Sequence, residues 1–472
     1  MKFGVKEQLL NIYPAIPQGI TNNEVNHDLW FGASINHTIK NQFPSEIYLE
    51  KAKKPGQEQF WKGVQNNSIG CNHEGAGQVG SFFIESYLPS FVVTAFTEGY
   101  FYNMQQTTRR GVKINNIICK EELLNTDGVK EDFNSKFQFY NEITREEKQG
   151  SFNKLIQGSM QQLPLCIESS FEGPITYRTL REYSRWRKLK HLPFEMKKFG
   201  QLIDEKLTNV SKFSNTKTMH EMGLEDVING LRIDEDPSQF YADHTMHIPE
   251  NMYFEKIWNS GEINELKKQG ANAVLLHNYN PFNLTLDNIL EGKINRNPAL
   301  LAALPNSFVV IASKNNLASG IDENRHMTIK KVFQPFTHAL KKGYTLAEPT
   351  ELKDYKADVK SLNRSTDQLI QDLNGKIPVK ELFQLLPHNF EAIKIETIDY
   401  NSLFNLFEKR DCVKVREGVY QRIQKIKQVL EPVFPEISKQ RLAKGVQLGV
   451  CYEKVYDKKG CKACGKTVQY TH

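Results

Sequence analysis

The sequence predicts a mixed α/β fold, a layered sheet body joined to a mainly helical C-terminal part. Three observations predict it. Short β-type runs alternate with amphipathic stretches as far as Glu348, the pattern of sheets covered by helices. Near Pro349-Thr350-Glu351-Leu352 the pattern changes, and helical periodicity dominates beyond it. Positive charge then gathers after Asn401. With 472 residues the chain exceeds what one hydrophobic core usually serves. The expected units are residues 1–348 as the α/β body, 349–447 as a basic helical domain and 448–472 as a Cys-rich tail.

In chain order, Val92 to Phe96 and Ile114 to Cys119 are apolar, β-branched-rich runs and predict strands, as do Ala273 to Leu276 and Phe308 to Ala312. Arg178 to Leu207 predicts helix with a break at Pro193. Thr350 can cap a helix that reaches Leu373, where Asn374-Gly375 supplies the stop, and another helix starts at Pro378. Val419, Ile423, Ile426 and Leu430 fall on one helical stripe that ends before Pro432. Arg422, Lys425 and Lys427 lie off the stripe and predict a cationic face. No internal repeat and no low-complexity tract is legible.

Hydrophobic residues make up 39% and charged residues 25%, a composition that folds rather than remaining disordered. The start, Met1-Lys2-Phe3-Gly4-Val5-Lys6-Glu7, is too polar for a signal peptide, and no apolar run approaches a membrane span. Seven thinly spread Cys do not form a disulfide framework. The expected location is therefore cytoplasmic, or a host cytoplasm into which the protein is delivered. Of the net +6, the stretch from Asn401 to His472 carries more than the whole, since the rest is slightly acidic. Any anionic partner, such as a membrane surface, is expected at the C-terminal helices. Nucleic acid is not expected.

Met219 to Pro237 holds the most chemically suggestive motif. Leu231-Arg232-Ile233 reads as a short strand ending in Asp234-Glu235-Asp236. Carboxylates at Asp234 and Asp236 can approach one Mg²⁺ or Mn²⁺, a hard cation that would bridge them to a substrate diphosphate and neutralise the leaving group. Earlier, Asn26-His27-Asp28-Leu29-Trp30-Phe31-Gly32 combines a strand, an aromatic pair and a glycine that lets backbone approach a ligand. Together these resemble the DXD-containing glycosyltransferases, including the large clostridial toxin and bacterial effector enzymes. The resemblance implies a glycosyltransferase A-like, nucleotide-binding sheet and a UDP- or GDP-sugar donor. It also implies Trp30 and Gly32 at the nucleotide, a metal on Asp234 and Asp236, and a protein or other acceptor. The Ser-Asp-x-x-Arg pattern of that family is missing, with Glu221, Glu225 and Asp226 in its place.

Two other constellations point elsewhere. Cys71 follows Gly70, with Gln65 six positions earlier, a spacing similar to that of papain-like proteases. His338 as base and Glu348 as orienting carboxylate would complete a thiol hydrolase or acyltransferase. In the tail, Cys451, Cys461, Cys464 and His472 are four potential ligands for a structural Zn²⁺. A chain with neither activity would be an adaptor working through its basic helices.

Overall fold

The computed structural model describes residues 3–14, 43–64, 81–99, 105–106, 113–146, 154–189, 192–210, 273–318, 329–334, 344–412 and 417–443, with single positions such as Trp30, Ala33, Phe336 and Val415 between them. The N-terminal elements are β1 (Gly4–Val5), β2 (Leu9–Pro14), α1 (Pro44–Ala52), α2 (Gln57–Val64), β3 (Ser81–Pro89), α3 (Ser90–Gly99), β4 (Gln105–Gln106), β5 (Asn116–Ile117), α4 (Glu121–Leu124), α5 (Val129–Glu146), α6 (Lys154–Met160), β6 (Glu168–Thr176), α7 (Tyr177–Ser184) and α8 (Phe194–Val210). The C-terminal elements are β7 (Ala273–Tyr279), α9 (Leu286–Ile294), α10 (Pro298–Ala303), β8 (Phe308–Asn316), β9 (Lys330–Phe333), β10 (Thr345–Leu346), α11 (Lys356–Leu373), α12 (Val379–Leu382), β11 (Phe390–Asp399), α13 (Tyr400–Arg410) and α14 (Glu417–Val429).

The class is mixed α/β, and every ladder between described strands is antiparallel except the two-residue pairing of β1 with β5. One sheet runs β2-β3-β6-β4; the other runs β7-β8-β11, with β9 and β10 both on the far side of β11.

These sheets are two copies of one design. In the first, Phe171 of β6 lies between Ser86 of β3 and Gln106 of β4; in the second, Lys394 of β11 lies between Ser313 of β8 and Phe333 of β9. Helices α5 and α11 precede those central strands and have 18 residues each. Each central strand ends in a side-chain N-cap, Thr176 or Asp399, followed by a buried Tyr177 or Tyr400. Ile118 N–H donates to Cys166 O at 2.9 Å, and Ala347 N–H donates to Asn389 O at 2.9 Å. At the junction the copies meet about a local pseudo-twofold: Leu165 N–H donates to Leu386 O (2.8 Å) and His388 N–H to Leu163 O (3.1 Å). Pro164 and Pro387 bridge between these bonds. So the sequence does contain a repeat. Gln161-x-Leu163-Pro164 matches Gln384-x-Leu386-Pro387, and Glu168, Ile175 and Tyr177 match Glu391, Ile398 and Tyr400 at the same spacing.

The copies fill their interiors differently. Phe171 and Phe199 pack with Phe96 at 4.7 and 5.2 Å in the N-terminal half. At the matching positions the C-terminal half has Lys394 and Arg422, both ion-paired to buried Glu396.

Three expectations need correction. Val92 to Phe96 lies in helix α3, not a strand, because an apolar run buried on all sides carries no period to tell the two apart. No domain boundary falls at 348/349: β11 completes the sheet begun by β7 and β8, and one apolar core joins Phe171 and Ile175 to Leu382, Phe383 and Phe390. The described residues from 349 to 443 are thus mainly helical around a central ten-residue strand. On α14 the apolar stripe Val419, Ile423, Ile426 and Leu430 is buried as expected, but Arg422 and Lys427 are buried too, paired with Glu396 and Asp411. That face is internal ion pairing rather than a cationic surface.

Candidate functional site

Beside the junction, in the N-terminal copy, two buried thiols lie near the buried carboxyl Glu195 and the half-buried Glu381. Cys166 precedes β6 and is fully buried; Cys119 follows β5 and is 7% exposed. The backbone bond from Ile118 to Cys166 brings the two cysteines together, and the Cys119 thiol hydrogen-bonds Cys166. That bond, followed by burial and the nearby Glu195 and Glu381, holds the Cys119 thiol well above its ordinary value. Cys119 therefore stays protonated, and its thiol donates to Lys120 O at 3.6 Å.

Glu195 sits in the first turn of α8 and is buried. Gln8, just before β2, donates through Nε2 to the Glu195 backbone oxygen (2.8 Å) and to its Oε2 (2.5 Å). Glu381 comes from the other copy: it accepts from Phe194 N–H (3.0 Å) at the start of α8 and from Gln384 Nε2 (2.7 Å). Burial raises both carboxyls above their ordinary value, against the opposing pull of Lys120 and Lys198 on Glu195 and of Lys380 and Lys120 on Glu381. Gln8 Oε1 and Gln384 Oε1 are buried with no hydrogen-bond partner among the described residues. Unfilled buried polar atoms occur elsewhere too, and it is the two thiols near carboxyls raised by burial that single this place out.

Close by, Ser90 Oγ lies 3.0 Å from His388 Nε2, and His388 Nδ1 lies 2.7 Å from Leu163 O. A carbonyl only accepts, so Nδ1 carries the proton and Ser90 donates to Nε2. The backbone amides of Ser90 and Phe91 are committed to Ile167 O and Leu165 O, so they form no oxyanion hole. This pair is a clasp between the halves.

Of the residues singled out from sequence, Trp30 and Glu348 are described. Trp30 is half-buried and meets Tyr48 edge-on at 6.0 Å, beside buried Ala33 and Ile47. Glu348 is exposed and faces Lys356 (3.7 Å) and Lys360 (3.8 Å). Gly32, Cys71, Asp234, Asp236, His338, Cys451, Cys461, Cys464 and His472 lie outside the described residues. Among the described residues no His, Cys, Asp and Glu cluster could hold a metal ion, and no helix is long and apolar enough to cross a membrane. Cys119, Cys166, Glu195 and Glu381 went unnoticed in the sequence. The doubled Leu-Pro at 163–164 and 386–387 was the signal that could have led to them.

No family model matches the chain, and no curated protein matches it. Among solved structures, a UMP/dUMP methylase from Streptomyces cacaoi, bound with 5-Br dUMP, aligns over 45% of this chain and 94% of its own at a TM-score of 0.34 and 9% identity. A likeness that shallow bears on neither fold nor function.

Proposed function

We propose that the protein is a thiol-dependent enzyme that transfers a group through a covalent bond to Cys166. The observation that carries this reading is the Cys119–Cys166 contact beside Glu195 and Glu381. Cys166 supplies the nucleophile, with the Cys119 thiol beside it. The sulfur attacks the acyl carbon of a donor R–CO–Y, and its proton passes by way of the Glu195 carboxyl to Y, which departs as H–Y and leaves a thioester. An acceptor H–Nu then attacks the thioester carbon, the C–S bond breaks, and the acceptor's proton returns to the sulfur. Lys120, Lys198 and Lys380 around the carboxyls favour a negatively charged substrate. Because Cys166 is fully buried, the chemistry requires local opening of the cluster. The thiol reading of the sequence thus moves from Cys71 to Cys166. Iodoacetamide labelling followed by peptide mass mapping tests it. Cys166 should be alkylated in the native protein and protected by a ligand from a panel of nucleotides, UMP and dUMP included. Absence of labelling at Cys166 after prolonged native incubation would sink the proposal.

A second reading keeps the metal-dependent glycosyltransferase, with Mn²⁺ or Mg²⁺ on Asp234 and Asp236, a glycosyltransferase A-like body and an acceptor met through the C-terminal helices. Half-buried Trp30 supports it, because an aromatic left partly open can stack on a nucleotide base. The antiparallel pairing of both sheets tells against it, since nucleotide crevices of layered α/β folds open at the ends of parallel strands. A thermal-shift screen of UDP- and GDP-sugars with and without Mn²⁺, on wild type and Asp234→Asn, decides. Metal-dependent stabilisation lost in the variant would establish it, and a flat response would remove it.

A further inference from the structure

The two copies can be compared position for position at the cluster. Where the N-terminal copy has Cys166, the C-terminal copy has Asn389; where it has Cys119, the other has Glu348; where it has Glu195, the other has Gly418. Matching backbone bonds, Ile118 to Cys166 and Ala347 to Asn389, fix the first two equivalences, and the constant sequence spacing between the copies gives the third. Glu381, which reaches across the junction to the first N–H of α8, is matched on the opposite side by Gly158. Leu352 Cγ would lie 2.8 Å from a Cβ at Gly158, so no side chain fits there to reach back.

What stands at the matching location also differs in kind. Asn389 Nδ2 donates to Ala347 O (2.7 Å) and to Asn363 Oδ1 (2.9 Å), and Asn363 donates in turn to Leu346 O (3.1 Å), an amide network without a nucleophile. Buried unpartnered acceptors occur on both sides, Asn389 Oδ1 on the one and Gln8 Oε1 and Gln384 Oε1 on the other, so the two thiols and the carboxyls Glu195 and Glu381 are what set the N-terminal side apart.

We infer that the duplication carries a single site, on one side of its pseudo-twofold junction, and that the C-terminal copy serves that site through Glu381 and Gln384 as positioning residues. This rests on the thiol reading above. Glu381 fixes the start of α8, and α8 carries Glu195; Gln384 fixes Glu381. The groups facing the thiols are then Glu195 and Glu381, with Lys120, Lys198 and Lys380 facing the carboxyls. Removing the Glu381 charge must ease ionisation of Cys119, whereas changing Glu348 must not.

The test follows the S–H stretching absorption of the full chain through a pH titration, assigned by difference against Cys119→Ser and Cys166→Ser. Glu381→Gln should lower the thiol midpoint by on the order of one pH unit. Glu381→Asp should keep it near wild type, and Glu348→Gln should leave it unmoved. If Glu381→Gln fails to fold, Gln384→Met, which removes the hydrogen bond but retains the carboxyl, should lower the midpoint by a smaller amount. An unchanged midpoint in the folded Glu381 or Gln384 variant overturns the inference, as does an equal shift in Glu348→Gln. A shifted midpoint in a protein whose Cys166 never alkylates would retain the one-sided cluster and remove the enzymatic reading.

Discussion

Tyr400 has counterpart Tyr177 in the other copy, and both begin a helix with the ring fully buried. Burial pushes the Tyr400 hydroxyl up to about 12, despite its hydrogen bond to Asn278 at 2.7 Å. The folded state thus holds this proton more tightly than the unfolded chain. Its contribution is complete below about 10 and is lost as pH rises through about 12. Tyr400→Phe should cost about 1 kcal/mol at pH 8 through the lost hydrogen bond, and the gap to wild type should close above pH ~11 in urea titrations. Glu195 is also raised, by burial, so its contribution is present at acid pH and lost as pH rises through the folded value. Glu195→Gln should therefore gain on wild type in melting temperature between pH 5 and 8 while losing the chemistry. At Arg422 the buried partner decides the cost. Arg422→Met leaves Glu396 its pair with Lys394, whereas Glu396→Met strands both cations and should cost about 3–5 kcal/mol, and apolar replacement of all three together should cost far less. The matching Phe171 and Phe199 already fill that space without charge.

Elements were legible where a period or a punctuating residue spoke for itself. Pro193 separates α7 from α8, Asn374 and Gly375 (φ +82°) end α11, and the spacing of Val419, Ile423, Ile426 and Leu430 is the buried face of α14. The run Val92 to Phe96 misled because every position in it is buried, and burial on all sides erases the difference between periods of 2 and 3.6. Two helical glycines separate propensity from packing. At Gly63 in α2 an added methyl group would meet nothing within 4 Å among the described residues, so Gly63→Ala should stabilise by about 0.5–1 kcal/mol. In α8, a Cβ on Gly200 would lie 2.7 Å from Arg187 N and 2.9 Å from Tyr183 O, both backbone atoms. Gly200→Ala should therefore destabilise by about 1–3 kcal/mol despite the better helix former, as chemical denaturation of the pair would measure.

As a whole molecule the duplication behaves as one body. The core that holds Phe96, Phe171 and Phe199 also holds Leu382, Phe383 and Phe390, and the Ser90–His388 clasp and Pro164–Pro387 bridge lie where the copies meet. Urea transitions followed by far-UV dichroism and by tryptophan fluorescence should therefore coincide. A chain ended at Glu348 would leave β8 without β11 and open that shared core. It should show no cooperative transition, whereas independent folding of 1–348 would restore the division first read from composition.

Taken alone, the sequence determined what local physics can encode: a mixed α/β class, most helix ends, the apolar stripe of α14 and the strands at Ala273 and Phe308. The duplication, the antiparallel sheets and the site were decided only in three dimensions. A repeat that keeps backbone register while exchanging Phe171 for Lys394 and Phe199 for Arg422 retains little identity, because either aromatic packing or paired charge can fill the same buried space. Cys119, Cys166, Glu195 and Glu381 are far apart along the chain and belong to no local motif. They become neighbours because strand pairing sets the cysteines side by side and the junction carries Glu381 onto the first turn of α8.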